Sequence, residues 1–196
     1  MSPTPLDGLI ITGAPVEHLP FEEVNYWNEL VNLIDEAKLK CASTLGLCWA
    51  GFAMAYMAGV EKNNFKKKLF GVFPMKSLVP GHSLMGTQDD EFFCPQSRHA
   101  GLPDNEMEKA EKKGKLRLLA HGKKVGYTIF ETPDQRQLMH LGHPEYNVDR
   151  LRSEMERDKK RGDVPPPENF DLTKSKTSWR SHRNLLFQQW LWFCYQ

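Results

Sequence analysis

The chain opens with a short apolar run followed by an amphipathic stretch. The run Leu6–Thr12 (LDGLIIT) lies between Asp-Gly and Gly-Ala-Pro, which predicts a buried parallel strand that ends in a loop at Gly13–Pro15. Phe21–Lys38 follows directly after Pro20, and its apolar residues have the spacing of one helix face: Val24, Trp27, Val31 and Ile34. A strand, a loop and a helix are therefore predicted for this part of the chain.

The next segment again predicts a strand followed by a helix. Ser43–Leu47 (STLGL) is a run of small and apolar residues that predicts a buried strand. Trp49–Met57 (WAGFAMAYM) has the small residues of a helix that packs closely on a sheet. Because strands alternate with helices, this half of the chain is typical of an α/β sheet.

Shorter strands are predicted in the middle of the chain. Leu69–Phe73 is apolar and predicts a strand, whereas Pro95–His99 has the residues of a turn. Three further apolar segments are separated by Gly-Lys-Lys and Pro-Asp turns and predict a meander: Leu116–His121, Val125–Phe130 and Gln137–Leu141.

The last third of the chain predicts two helices around an irregular loop. Val148, Leu151 and Met155 mark one face of a helix, and Asp163–Lys176, with three consecutive prolines, is predicted to be a loop. The final helix lies within Ser178–Gln196, and its apolar face consists of Leu185, Leu186, Trp190 and Phe193. The whole pattern predicts one domain, residues 1–196, with a three-layer α/β/α fold and a mainly parallel sheet.

Composition excludes some classes of partner. Hydrophobic residues make up 40% and charged residues 26% of the 196 positions, as in an ordinary globular protein. The 26 basic and 25 acidic residues leave a formal net charge of +1, so we expect neither nucleic acid nor a membrane as partner. The amino terminus has no basic region before a long apolar run, and we expect no signal peptide.

The cysteines indicate a reducing compartment. The four are scattered and share no metal-binding spacing: Cys41, Cys48, Cys94 and Cys194. Scattered cysteines in a chain of this size favour reduced thiols in a cytoplasmic protein. We expect no bound metal and no cofactor.

Cys48 lies where the predicted strand Ser43–Leu47 turns into the helix Trp49–Met57. A side chain on such a turn is exposed at the carboxyl end of the strand, where backbone N–H groups and the helix dipole favour a thiolate and a developing oxyanion. The alternative is a buried, unreactive thiol that packs as a small hydrophobic residue. Cys48 is therefore a candidate nucleophile.

A second candidate is the segment GHPEY, which also follows an apolar strand. His143 and Glu145 would lie at the carboxyl end of that strand, where open α/β sheets bind ligands. With Cys48 they would provide a nucleophile, a base and a group that orients the base. The alternative for His143 is a hydrogen-bonded histidine in a turn.

Several motifs together resemble a known family. The segments DGLIITGAP, the Cys48-Trp49-Ala50 elbow, PQSR, GHPEY and SWRSH through Leu191 are similar to the homoserine O-acyltransferases of methionine biosynthesis, over essentially all of the chain. The resemblance implies a class I glutamine amidotransferase-like fold, a Cys-His-Glu triad and a ping-pong reaction. In that reaction acetyl-CoA acylates the cysteine, and the hydroxyl of L-homoserine then takes the acyl group.

The resemblance also implies roles for individual residues. Cys48 matches the nucleophile, His143 the base and Glu145 the third member of the triad. The substrate-binding positions are matched by Lys68, Ser97 and Arg157, and the oxyanion hole by backbone groups of Thr12 and Trp49. Glu17 stands where glutamate is typical of acetyl-using members and glycine of succinyl-using ones, and its carboxylate would repel the free carboxylate of a succinyl group.

The chain departs from the family in length. Family members have a part before the DGLIITGAP strand that has no counterpart here, so we expect a homo-oligomer or a second chain that supplies the missing part. Within the same class, the alternatives are a succinyl donor or a serine acceptor. From other classes, they are a non-catalytic remnant or assembly subunit, and a glutaminase or thiol hydrolase on the same fold.

Overall fold

The predicted rhythm of strands and helices is present in a computed structural model that describes residues 6–159, 166–171, 173–174 and 176–196. Seven strands lie in these ranges: β1 Leu6–Ile11, β2 Cys41–Leu47, β3 Asn63–Ser77, β4 Glu91–Gly101, β5 Arg117–Gly122, β6 Gly126–Glu131 and β7 Gln137–His140. Five α-helices accompany them: α1 Trp27–Lys40, α2 Trp49–Met57, α3 Asp104–Lys112, α4 Val148–Lys159 and α5 Arg180–Tyr195. Part of the predicted loop Asp163–Lys176 lies outside the described residues.

The seven strands form one sheet in the order β1-β2-β7-β6-β5-β3-β4. Only the pairs β1–β2 and β2–β7 are parallel, and the other four pairs are antiparallel. The expectation of a mainly parallel sheet is therefore wrong, and the sheet is mixed. The reason is the length of the connections, because tight turns such as that between β5 and β6 are too short for the crossover that a parallel pair needs.

Pro95–His99 is strand rather than turn. This segment lies inside β4, where Pro95 pairs with Val72 and Ser97 pairs with Phe70 of β3. β4 is an edge strand of the sheet, which is where a proline is tolerated because its missing N–H costs no ladder hydrogen bond. Long-range pairing with β3 thus overrides the local turn preference.

Two layers of helices cover the sheet. α1, α2 and α3 pack in one apolar cluster on one face, and α5 packs in a second cluster on the other. Seven of the nine residues of α2 are buried, which explains its lack of an exposed polar face. α5 buries His182, Leu186, Trp190 and Cys194. Among the described residues, no helix has the length and apolar character needed to cross a membrane.

Candidate active site

Cys48 lies on a strained turn between β2 and α2. Its backbone has φ 50° and ψ −116°, outside the regions that residues with a side chain ordinarily adopt. The N–H of Cys48 donates to the His140 carbonyl over 2.8 Å, which holds the turn against β7. The thiol therefore stands at the amino end of α2, as in a nucleophile elbow, with the positive end of the helix dipole beside it.

Two glycines make the tight turn possible. A Cβ on Gly46 would lie 2.5 Å from the Met54 sulfur and 3.1 Å from the Gly51 nitrogen. A Cβ on Gly51 would lie 3.1 Å from the Gly46 carbonyl oxygen. Because α2 approaches β2 this closely, neither position has room for a side chain, and the elbow is built into the packing of strand on helix.

His143 and Glu145 lie just after β7, the neighbour of β2 in the sheet. His143 Nδ1 is 2.6 Å from Glu145 Oε1, and the His143 N–H donates to the Pro95 carbonyl over 2.8 Å. The His143 ring stacks on Tyr146 with 4.1 Å between ring centroids. The carboxylate therefore fixes one ring nitrogen, and the other, Nε2, remains for proton transfer.

The electrostatics of His143 favour its charged form. Burial lowers the pKa of His143, but the Cys48 sulfur, which is within hydrogen-bonding reach, and the Glu145 carboxylate outweigh burial and raise that pKa to about 10. At neutral pH the ring is therefore an imidazolium between a sulfur and a carboxylate. An imidazolium held between a sulfur and a carboxylate has the geometry that a cysteine nucleophile and its acid–base partner would require.

A second polar cluster adjoins the triad and contains the three predicted substrate-binding residues. Lys68 Nζ lies 2.6 Å from Asp158 Oδ2 and 3.7 Å from Glu154 Oε2. The Ser97 hydroxyl donates to Glu154. Arg157 Nε donates to Asp158 Oδ1 over 3.0 Å. Lys68, Ser97 and Arg157 thus converge on two buried carboxylates of α4.

Glu154 and Asp158 are the residues that the sequence analysis missed. Burial alone would raise the pKa of Glu154, but Lys68, the Ser97 hydroxyl and His143 hold it below its ordinary value. Tyr146, which stacks on His143, also donates to Glu154 over 3.0 Å. The sequence offers one signal, because Leu151, Glu154 and Asp158 follow the 3, 4 spacing of a single helix face. The structure shows that this face is buried.

The remaining predicted site residues lie on the loop after β1 and at the start of α2. A Cβ on Gly13 would lie 3.5 Å from the Cys48 sulfur and 3.7 Å from the Trp49 nitrogen, so the backbone next to Thr12 borders the thiol. The oxyanion hole of Thr12 and Trp49 stays a prediction. Glu17, farther along the same loop, is half-buried, and its carbonyl accepts a hydrogen bond from Lys62 Nζ over 2.6 Å.

Comparison with known proteins identifies the family. The family model described as "Homoserine O-succinyltransferase" matches residues 1–196. The chain belongs to this family. The resemblance found in its motifs is therefore confirmed at the level of the family. The family model is named for succinyl transfer, whereas the relatives reported below are named for acetyl transfer.

Curated relatives of this family member are named for acetyl transfer. "Homoserine O-acetyltransferase" of Bacillus cereus (strain AH820) is 41% identical over 198 residues, which cover 97% of this chain and 65% of the relative. The protein of the same name from Bacillus anthracis (strain A0248) has the same identity and coverage. The chain thus spans just under two thirds of the length of these relatives.

Solved structures support the fold. A glutamine amido transferase from Methylobacillus flagellatus has a TM-score of 0.74 at 14% identity, covering 95% of this chain and 76% of that one. A glutamine amidotransferase from Thermotoga maritima has a TM-score of 0.65 at 12% identity, covering 94% and 75%. At such low identity the likeness concerns the fold alone, and it confirms the predicted class I glutamine amidotransferase-like fold.

Proposed function

We propose that this family member transfers an acetyl group from acetyl-CoA to the hydroxyl of L-homoserine through an acyl-Cys48 intermediate. The observation that supports this most strongly is the strained Cys48 elbow beside the His143–Glu145 pair, with 2.6 Å between Nδ1 and Oε1. A thiolate, an imidazolium and an orienting carboxylate form a complete set for acyl transfer. We propose no separate cofactor, because acetyl-CoA enters as a substrate and supplies the acetyl group.

In the first half-reaction, the Cys48 sulfur attacks the thioester carbonyl of acetyl-CoA. The carbon–sulfur bond to CoA breaks, and the His143 imidazolium gives its proton to the departing CoA sulfur, leaving acetyl-Cys48 and a neutral ring. In the second, neutral His143 takes the proton of the homoserine hydroxyl as its oxygen attacks acetyl-Cys48. Cys48 leaves as a thiolate, and the imidazolium is restored. Backbone N–H groups of Trp49 and Thr12 are proposed to stabilise the oxyanion in both.

The cluster on α4 is proposed to bind the amino acid. The guanidinium of Arg157, whose side chain is 46% exposed, is suited to the substrate's α-carboxylate. Glu154 and Asp158 would attract its ammonium group, and Lys68 and Ser97 hold those carboxylates in place. We further propose a cytoplasmic location, because all four cysteines are free thiols and such thiols persist in a reducing compartment.

The direct test is a product assay with the purified chain. Acetyl-CoA and L-homoserine should yield O-acetyl-L-homoserine and one CoA thiol for each product molecule, detected by mass spectrometry and thiol titration. Release of free acetate without transfer would favour a thiol hydrolase, and ammonia release from glutamine would favour a glutaminase. Succinyl-CoA and L-serine, each tested in the same assay, decide the donor and the acceptor.

Glu17 is expected to set donor choice. In Glu17→Gly the repelling carboxylate and its volume are removed, so the ratio of kcat/KM for succinyl-CoA to that for acetyl-CoA should rise by at least about tenfold. Glu17→Gln separates charge from size, and Glu23→Gly, at an exposed acidic position after the same loop, is the matched control. An unchanged ratio in an active Glu17→Gly enzyme would show that other residues shape the acyl pocket.

We also propose that the chain self-associates. Three large side chains on the outer face of α5 are exposed, Leu191 by 58%, Trp192 by 66% and Tyr195 by 83%. Within the described residues β1 pairs only with β2, and its Leu6 and Ile10 are exposed, so an open strand edge accompanies this apolar face.

Light scattering after size-exclusion chromatography should therefore give a mass of at least two chains. Trp192→Glu should shift the protein towards the monomer, because a charge would be buried in the contact. Leu39→Glu makes a similar change at an exposed position on α1 and should leave the mass unchanged. A monomer at every concentration contradicts the proposal, and activity only after addition of a second chain would indicate a missing part supplied in trans.

A further inference from the structure

Three side chains with metal-binding atoms meet outside the triad. Glu17 and His18 lie on the loop after β1, and His99 lies on β4. One ligand atom from each lies within 4.8 Å of the other two, and the two imidazole rings have centroids 4.6 Å apart. The fold alone brings them together, because the loop and the strand are distant in the sequence.

The polar atoms of these side chains are available. Within the described residues, none of the three side chains makes a hydrogen bond to another protein group, although most polar side chains near the site are paired. The neighbouring Lys62 ammonium donates to the backbone carbonyl of Glu17 and leaves the carboxylate oxygens free. Two neighbouring imidazole rings, tilted by 58° beside a carboxylate, would both gain from a cation between them.

We propose that Glu17, His18 and His99 form a binding site for a divalent transition-metal ion, with Zn²⁺ as the best match. Two imidazole nitrogens and one carboxylate oxygen suit Zn²⁺ and its neighbours, whereas Ca²⁺ and Mg²⁺ prefer oxygen ligands alone. Zinc–ligand bonds of about 2.0–2.2 Å require the three atoms to close in on the ion. Glu17 and His18 lie on a loop and can make that adjustment, while His99 lies on β4 between Arg98 and Ala100, which both pair with β3.

Metal binding at this site does not depend on the proposed function. Its expected effect on acyl transfer does rest on that function. Glu17 is the proposed donor-selecting residue, and a bound cation would engage its carboxylate and alter the charge of the acyl pocket. His99 is close enough to the substrate cluster for its ring to interact electrostatically with Lys68 and Asp158. Occupancy by Zn²⁺ should therefore inhibit transfer from acetyl-CoA.

The binding test uses the full chain after removal of metal by a chelator. Zn²⁺ titrated in competition with a chromogenic chelator should show one site per chain, and its affinity should fall by at least about tenfold in His18→Gln and in His99→Gln. His121→Gln is the matched control, because His121 is also a partly exposed histidine beside a carboxylate, 2.9 Å from Asp104, and it should bind Zn²⁺ like the parent.

Two further measurements separate this site from the catalytic thiol, which is itself a ligand for zinc. Cys48→Ala should retain the site, and Co²⁺ in place of Zn²⁺ should give d–d bands without a sulfur-to-cobalt charge-transfer band. Loss of binding in Cys48→Ala, or unchanged affinity in both His18→Gln and His99→Gln, would overturn the proposal. Because His18 is exposed on a loop, its variant should melt like the parent, which excludes misfolding as the cause.

The inhibition test separates the two proposals. Zn²⁺ should inhibit the parent and His121→Gln at the same concentration. The Zn²⁺ concentration needed to inhibit His18→Gln should be at least about tenfold higher. Stoichiometric Zn²⁺ binding in a chain without acyl transfer would overturn the proposed function and leave the site intact. Equal inhibition of the parent and His18→Gln would overturn the link between this site and the reaction.

Discussion

Replacement of Cys48 by alanine is expected to abolish the acyl-enzyme and to lower kcat/KM by at least about 1,000-fold, because the nucleophile acts as a unit with its base. Intact-protein mass spectrometry after mixing with acetyl-CoA should show one acetyl adduct on the parent and none on Cys48→Ala. The strained backbone of Cys48, φ 50°, makes alanine at this position no more costly than the native residue, so the variant should fold.

The other cysteines provide the controls. Cys194 is buried in the contact between α5 and the sheet, and burial raises its pKa to about 11, so it is protonated and unreactive at neutral pH. Cys194→Ala should therefore retain the adduct. An adduct that persists in Cys48→Ala and disappears in another cysteine variant would show that the other cysteine is the nucleophile. That result would contradict the proposed mechanism.

Replacement of His143 by asparagine is expected to slow both half-reactions by about 100-fold to 10,000-fold, because one ring serves first as acid and then as base. Release of CoA in a single turnover measures the first half-reaction. Decay of preformed acetyl-Cys48 on addition of homoserine measures the second. His82→Asn changes a buried histidine that is paired with Glu131, away from the triad, and should leave both rates unchanged. Loss of only one half-reaction would contradict a single shared base.

The charge state of His143 provides an independent readout. Its pKa is raised to about 10, so the ring carries its proton below that pH and loses it only as the pH rises through it. Histidine NMR should therefore show His143 as an imidazolium between about pH 6 and 8, while burial lowers the pKa of His182 to about 3 and keeps that ring neutral. Glu145→Gln should move the His143 titration to lower pH. A His143 ring that titrates near its ordinary value would contradict the ion-pair arrangement.

Local patterns were sufficient to predict the elements that hold Cys48, His143 and Glu145. The run of small and apolar residues before Cys48 predicted β2, the elbow and α2, and these elements lie where expected. GHPEY was predicted to follow a strand, and it follows β7. Such predictions succeed because strand, turn and helix preferences act over a few residues, and because the ends of neighbouring parallel strands meet at one edge of a sheet.

Tertiary structure decided what local preference could not. Pairing with β3 made a strand of Pro95–His99, and short connections made the sheet mixed rather than mainly parallel. The carboxylates of Glu154 and Asp158 are buried because Lys68, far away in the sequence, reaches them, and no local pattern encodes such a partner. By itself the sequence determined which residues have the chemistry of a nucleophile, a base and an orienting acid. Only the fold decided which charges surround them, because burial and ion pairing depend on contacts between distant segments.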